Sequence, residues 1–193
     1  MTRSTNRWKQ MVVALAATCG MVLGTTAAAD AAPGAGTFSA QARSVGLSSA
    51  EARELQSAVT AEIARAGGTQ VALNRIERPG ATVLLPLPGE IYARNLDAPA
   101  SRTAVGRLMA EPCPYLHFCQ YNNVYFRGMV EQRYSCAEYR NYLVYDGSWI
   151  NNQSRGTSAR MRDKGGVLRY STPGAPSQDD VAPWNWVGSI HPC

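Results

Sequence analysis

The sequence predicts a mainly β protein, an all-β sandwich over residues 111–193 preceded by a small helix plus β-hairpin region. Three observations lead there. From Pro112 onward the chain holds eight of its nine tyrosines and three of its four tryptophans, and aromatic side chains suit a pleated, half-buried surface. They fall in short runs separated by turn signals at Asn122-Asn123, Asp146-Gly147, Asn151-Asn152 and Lys164-Gly165-Gly166, the rhythm of a sandwich rather than of a helical domain. A faint duplication completes the case. Trp149-Ile150-Asn151-Asn152 leads to Ser158-Ala159-Arg160, and Trp184-Asn185-Trp186 leads to Ser189-Ile190-His191, as two copies of a four-stranded unit would.

The chain opens on an export signal. Arg3, Arg7 and Lys9 precede the apolar run Met11 to Leu23, and Ala27-Ala28-Ala29 and Ala29-Asp30-Ala31 offer small-residue cleavage sites. The run is too short to span a bilayer, so residues 1–29 read as a secretory signal peptide and the mature chain as extracellular, without a membrane anchor. A lipoprotein reading of Leu15-Ala16-Ala17-Thr18-Cys19 fits poorly, because Thr18 precedes the cysteine. Losing the signal removes Cys19 and leaves Cys113, Cys119, Cys136 and Cys193 in an oxidising compartment. It also lowers the formal charge from +5 to about +2, so nucleic acid is not implied as a partner.

Residues 30–47 are rich in Ala, Gly, Ser and Thr and read as a flexible mature N-terminus. Ser48-Ser49-Ala50-Glu51 then has the form of a capping box. A helix follows, with Leu55, Val59 and Ile63 beside Ala52 and Ala66 as its apolar stripe and Gly67-Gly68 as its stop. Thr69 to Leu73 and Ala81 to Leu87 read as two strands joined through Arg78-Pro79-Gly80. This region, 48–92, lacks cysteine and is small for a free-standing domain. It is expected to dock on the domain that follows, the alternative being a pro-region removed outside the cell. Residues 93–110, with Asp97-Ala98-Pro99-Ala100-Ser101, Arg102 and Arg107, form a breaker-rich linker suited to proteolysis.

Cys113 and Cys119 can close a small loop. Beyond them, Tyr121, Phe126 and Gly128 have the spacing of an aromatic packed over a tight hairpin whose glycine takes φ > 0. A plain β-hairpin with glycine at its bend accounts for the same pattern. The segment resembles the folded corner of a βγ-crystallin Greek key. The second copy is degenerate there, since Tyr170 is followed by Pro173-Gly174-Ala175-Pro176.

Taken in order, Cys113-Pro114, Cys119-Gln120-Tyr121, Phe126-Arg127-Gly128, Trp149-Ile150-Asn151-Asn152-Gln153, Ala159-Arg160 and Pro183-Trp184-Asn185 to Ser189-Ile190-His191-Pro192-Cys193 carry a wider resemblance. Residues 111–193 are similar to secreted actinomycete proteins of the peptidase-inhibitor family typified by the small streptomycete metalloproteinase inhibitor. The resemblance implies a βγ-crystallin-like double Greek-key sandwich, no cofactor, a monomer, and an extracellular protease as partner, a metalloprotease first. The typifying inhibitor presents its reactive bond on a late loop closed by a second pair of nearby cysteines. Here Cys136 and Cys193 lie far apart, and that reactive position has no counterpart. If Cys113 bonds Cys119 as in the family, Cys136 bonds Cys193, one of three possible pairings.

Catalysis is not expected. The sequence has no His-Glu-x-x-His, no paired Cys-x-x-Cys metal knuckle, no Gly-x-Ser-x-Gly elbow and no phosphate-binding glycine loop. His117 and His191 read as strand or turn residues, and Asp146, Asp163, Asp179 and Asp180 as solvated caps. No metal site is expected either, because Asn151-Asn152-Gln153-Ser154-Arg155-Gly156 opens like a calcium loop and then places Arg155 and Gly156 where hydroxyls belong. Arg155, Arg160, Arg162, Lys164 and Arg169 read as a solvated basic face. Tyr139, Tyr142, Tyr145, Trp149 and Arg155 are the candidate partner-contact residues, and the candidate reactive loops are Tyr142 to Trp149 and Ser171 to Trp184. The expected function is a secreted metalloprotease inhibitor that binds by a substrate-like loop. The alternative is an extracellular structural, cell-envelope or toxin-like module of the same fold without inhibitory activity.

Overall fold

The computed structural model describes residues 38–96 and 113–193. The expected signal peptide, residues 30–37 and all but the first residues of the linker lie outside the described residues. Helix α1 spans Ser39–Ser44 and helix α2 Ser49–Ala66. The Ser48 side chain accepts from the Glu51 amide while Glu51 accepts from the Ser48 amide at 2.8 Å, so both orphan donors at the start of α2 are satisfied. The Gly67 amide donates to the Ile63 carbonyl and closes the helix.

The flexible N-terminus expected up to residue 47 is corrected over 38–47. Ala42 is buried, Phe38, Val45 and Leu47 pack on the same core, and the Leu73 amide donates to Gln41 Oε1 at 2.6 Å. Phe38, Ala42 and Val45 repeat at helical steps, a stripe hidden within a low-complexity composition.

Three strands follow where two were expected: β1 Thr69–Ala72, β2 Arg75–Arg78 and β3 Ala81–Leu84. Only Ile76 in β2 is apolar and fully buried, so the strand carries no alternation for a sequence reading to find. Then come β4 His117–Tyr121, β5 Val130–Arg133, β6 Tyr139–Arg140, β7 Asp146–Asn152, β8 Arg160–Asp163, β9 Leu168–Ser171, β10 Ser177–Pro183 and β11 Val187–His191. Two antiparallel sheets result, in the orders β1-β2-β3-β5-β4-β7-β10 and β6-β11-β8-β9. Asp146-Gly147 and Asn151-Asn152, expected as turns, lie inside β7. Gly147 is needed there because a Cβ would run into the Tyr121 carbonyl and the Trp184 indole, whose Nε1 donates to that carbonyl.

The expected division between an accessory region and a β domain does not separate two sheets. β3 pairs with β5 in register from Ala81↔Arg133 to Leu84↔Val130, and the described residues all fall in one compact unit. One core holds Leu55 and Val59 of α2 against Ile76 and Val83. A second holds Phe118, Trp149, Met161, Trp184 and Ile190. The cysteines pair as Cys113–Cys119 and Cys136–Cys193, with Cα atoms 5.7 and 5.4 Å apart, and such bridges suit an oxidising setting.

Candidate functional site: an anchored loop between the two sheets

Between β6 and β7 the chain crosses from one sheet to the other through Asn141–Tyr145. Exposure alternates at its start: Tyr142 faces solvent, Leu143 turns inward onto both cores, and Val144 and Tyr145 are 54% and 80% exposed. Large apolar side chains cost free energy in water, and here they sit on a segment held from beneath.

The anchor is the Asn141 side chain. Its Oδ1 accepts from the Leu143 amide at 3.1 Å and from Gln120 Nε2 at 2.9 Å. Its Nδ2 donates to the carbonyls of Leu143, Trp184 and Val187 at 2.9–3.1 Å. The Leu143 bond forms an Asx turn that sets the direction of the chain. At the far end, the Trp184 amide donates to the Tyr145 carbonyl. Above the loop, the guanidinium groups of Arg65 and Arg140 lie 5.4 and 5.2 Å from the centre of the Tyr142 ring, a cation–π arrangement that restrains it.

Beneath the anchor runs a seam of buried polar groups. Arg133 is 1% exposed, and burial pushes its pKa down. Its Nη2 donates to Gln120 Oε1 at 2.5 Å and lies 3.3 Å from Glu131, while its Nε and Nη1 find no hydrogen-bond partner among the described residues. Arg78 bridges Glu131 at 3.4 Å and Glu62 of α2 at 2.6 Å.

Of the expected contact residues, Tyr142, Tyr145 and Arg155 are at the surface, the first two on this loop. Trp149 is corrected: it is 1% exposed and stacks on Phe118 in the second core, because it points inward from β7. Tyr139 is half-buried. Its hydroxyl donates to the Gly80 carbonyl at 2.8 Å, its ring meets Arg133, and burial raises its pKa. The second half of the other candidate loop, Ser171 to Trp184, is strand β10, and Thr172 and Ala175 in its first half are buried.

The basic residues do not form an open patch. Arg160 donates to the Cys193 carbonyl, Arg162 lies near Glu138, and Arg169 pairs with Asp163 at 2.7 Å. The Asp163 carboxyl is held below the usual range first by Arg169 and then by the Val167 amide. Asn151 and Asn152, at the start of the calcium-like motif, spend their side-chain amides on Thr157, Thr172 and Cys113. Among the described residues no three His, Cys, Asp or Glu side chains group as a metal site would require, and no helix is long and apolar enough to cross a membrane.

Sequence reading missed Asn141, Gln120, Arg133 and Arg65. Asn141 carried a faint signal, as an amide side chain between Tyr139 and Tyr142 at the head of a candidate loop. Comparison with protein-family models, curated proteins and solved structures finds no match to this chain.

Proposed function

We propose that the chain is a secreted, non-catalytic peptidase inhibitor with a βγ-crystallin-like double Greek-key architecture, directed first at metalloproteases. The carrying observation is the Asn141–Tyr145 loop, which offers Tyr142, Val144 and Tyr145 on a backbone fixed before any partner arrives. Fixing a loop in advance lowers the ordering cost of binding, and solvent-facing aromatics supply contact energy. Strand order supports the architecture. Counting β4–β7 and β8–β11 as two four-stranded units, the third strand of each, β6 and β10, sits in the other unit's sheet. So does the bend after β4, where the Tyr121 and Phe126 rings meet edge to face at 5.5 Å and Gly128 takes φ +75°.

The test is titration of a thermolysin-type protease with oxidised chain from Ala32 onward, using a small fluorogenic substrate. Stoichiometric loss of activity is expected. Full activity at micromolar protein would overturn the reading.

One observation favours the alternative of a cell-envelope or toxin-like module. The Cys113–Cys119 loop exposes Tyr115 and Leu116, the latter at φ +69°, at the opposite end of β7 from Tyr145, about 20 Å away. A one-loop inhibitor has no use for that tip. Retention on purified cell wall that is lost in Tyr115→Ser/Leu116→Ser, with no protease inhibition, is the outcome that reading expects.

A further inference from the structure

We propose that helix α2 belongs to the binding device, its buried Glu62 positioning the Asn141–Tyr145 loop by two routes, a polar relay to Asn141 and a guanidinium laid on Tyr142. This rests on the reading of that loop as the contact surface. The first route is continuous. Glu62 Oε1 holds Arg78 Nη2 at 2.6 Å, and Arg78 Nη1 lies 3.4 Å from Glu131. Glu131 lies 3.3 Å from Arg133 Nη2, which donates to Gln120 Oε1, and Gln120 Nε2 donates to Asn141 Oδ1 at 2.9 Å. Asn141 then sets the loop. The second route is shorter: Glu62 Oε2 holds Arg65 Nη2 at 2.6 Å, and the Arg65 guanidinium lies over the Tyr142 ring.

Glu62 occupies a position on α2 that packing alone would give to an apolar residue, being 7% exposed beside Val59 and Ile63. The seam it heads contains two guanidiniums whose side chains are 8% and 0% exposed. Replacing buried ion networks by apolar residues of similar volume is often neutral or stabilising, so stability does not account for this seam. Directional bonds do what apolar contacts cannot: each fixes the orientation of the next group, and the last group here is the anchor of the loop. Glu62, Arg133 and Gln120 are therefore positioning residues, acting through Asn141, and Arg65 positions Tyr142. The segment before residue 96 thus acts on the contact surface through Asn141 and Tyr142.

The experiment compares wild type, Glu62→Gln, Arg133→Met, Arg65→Gln and Arg65→Lys in the chain from Ala32 onward. Amide exchange at Leu143, whose N–H ends on Asn141 Oδ1, is read by NMR beside amides of β4 and β7, with protease inhibition measured in parallel. Glu62→Gln and Arg133→Met are expected to speed Leu143 exchange about tenfold, the effect of losing one restraining hydrogen bond, while β4 and β7 keep their protection. Arg65→Gln is expected to shift the Tyr142 ring resonances, and Arg65→Lys to retain most of the wild-type position. Arg65 is one-third exposed, so its variants fold even where Arg133→Met does not. Unchanged Leu143 exchange with an unmoved Tyr142 ring overturns the relay, as does equal acceleration of every amide. A wild type that does not inhibit removes the inhibitor reading and leaves the exchange data to judge the relay. A wild type that inhibits while the variants keep their loop removes the relay alone.

Discussion

Asn141 holds the loop's geometry more firmly than any residue exposed on it. Its amide serves five groups across both sheets, so Asn141→Ala strands the Val187 carbonyl, which is part of a buried residue, and frees the Leu143 amide. The expected loss is about 2–3 kcal/mol in urea unfolding, the cost of unmaking buried hydrogen bonds. Tyr145→Ala behaves in the opposite way. At 80% exposure the ring contributes little to the fold, so stability should stay within about 0.5 kcal/mol. Inhibition should weaken at least about tenfold if the side chain is an interface anchor. Loss of stability without loss of binding would place Tyr145 among the structural residues instead.

At the scale of elements, the start of α2 titrates in a defined direction. The Glu51 carboxyl is held below its ordinary value by the Ser48 hydroxyl first and the Ser48 amide second. A depressed carboxylate stabilises the folded state at pH above its unfolded value, and that contribution disappears as pH falls through the lower folded value. Helicity at the first turn, read by amide exchange at pH 3–5, should therefore decline on acidification in wild type and stay level in Glu51→Gln, which keeps the box without the charge. The β2–β3 turn is sensitive for a steric reason. Gly80 sits at φ +72°, and a Cβ there would press on the Tyr139 hydroxyl and lie 2.7 Å from Ser135 Cβ. Gly80→Ala should cost about 3 kcal/mol, combining backbone strain with overpacking. A thermal midpoint like that of wild type would show that the turn relaxes.

For the molecule as a whole, the decisive contact is β3 on β5. It joins a segment without cysteine to one that carries both disulfides, and the Glu62–Arg78–Glu131 bridge and the Tyr139–Gly80 bond cross the same boundary. Without residues 38–96, β5 becomes an open edge, Met129 loses the core it packs on, and Leu143 loses one of its two. A chain beginning at Cys113 should accordingly lack sharp near-UV circular dichroism and expose apolar surface to dye, even with both disulfides formed. A cooperative melt of that fragment would contradict this and restore the division into an accessory region and an independent domain.

The sequence by itself determined what local chemistry controls: the capping box at Ser48 and Glu51, the glycine stop at Gly67, the aromatic β character after Pro112, and the four cysteines from which the bridges are drawn. Each rests on neighbours a few residues apart. Tertiary structure decided the rest. Trp149 is core because of the direction in which β7 faces, and Asp146-Gly147 and Asn151-Asn152 are strand because partners distant in sequence claim their backbone and side chains. β2 is held by a sheet it could not announce with one apolar residue. The loop is likewise a tertiary object. Its tyrosines were legible as exposed aromatics, whereas Asn141, Gln120, Arg133 and Glu62 became a connected network only once strands 10 to 60 residues apart lay side by side, since hydrogen bonds between side chains depend on proximity that spacing along the chain does not encode.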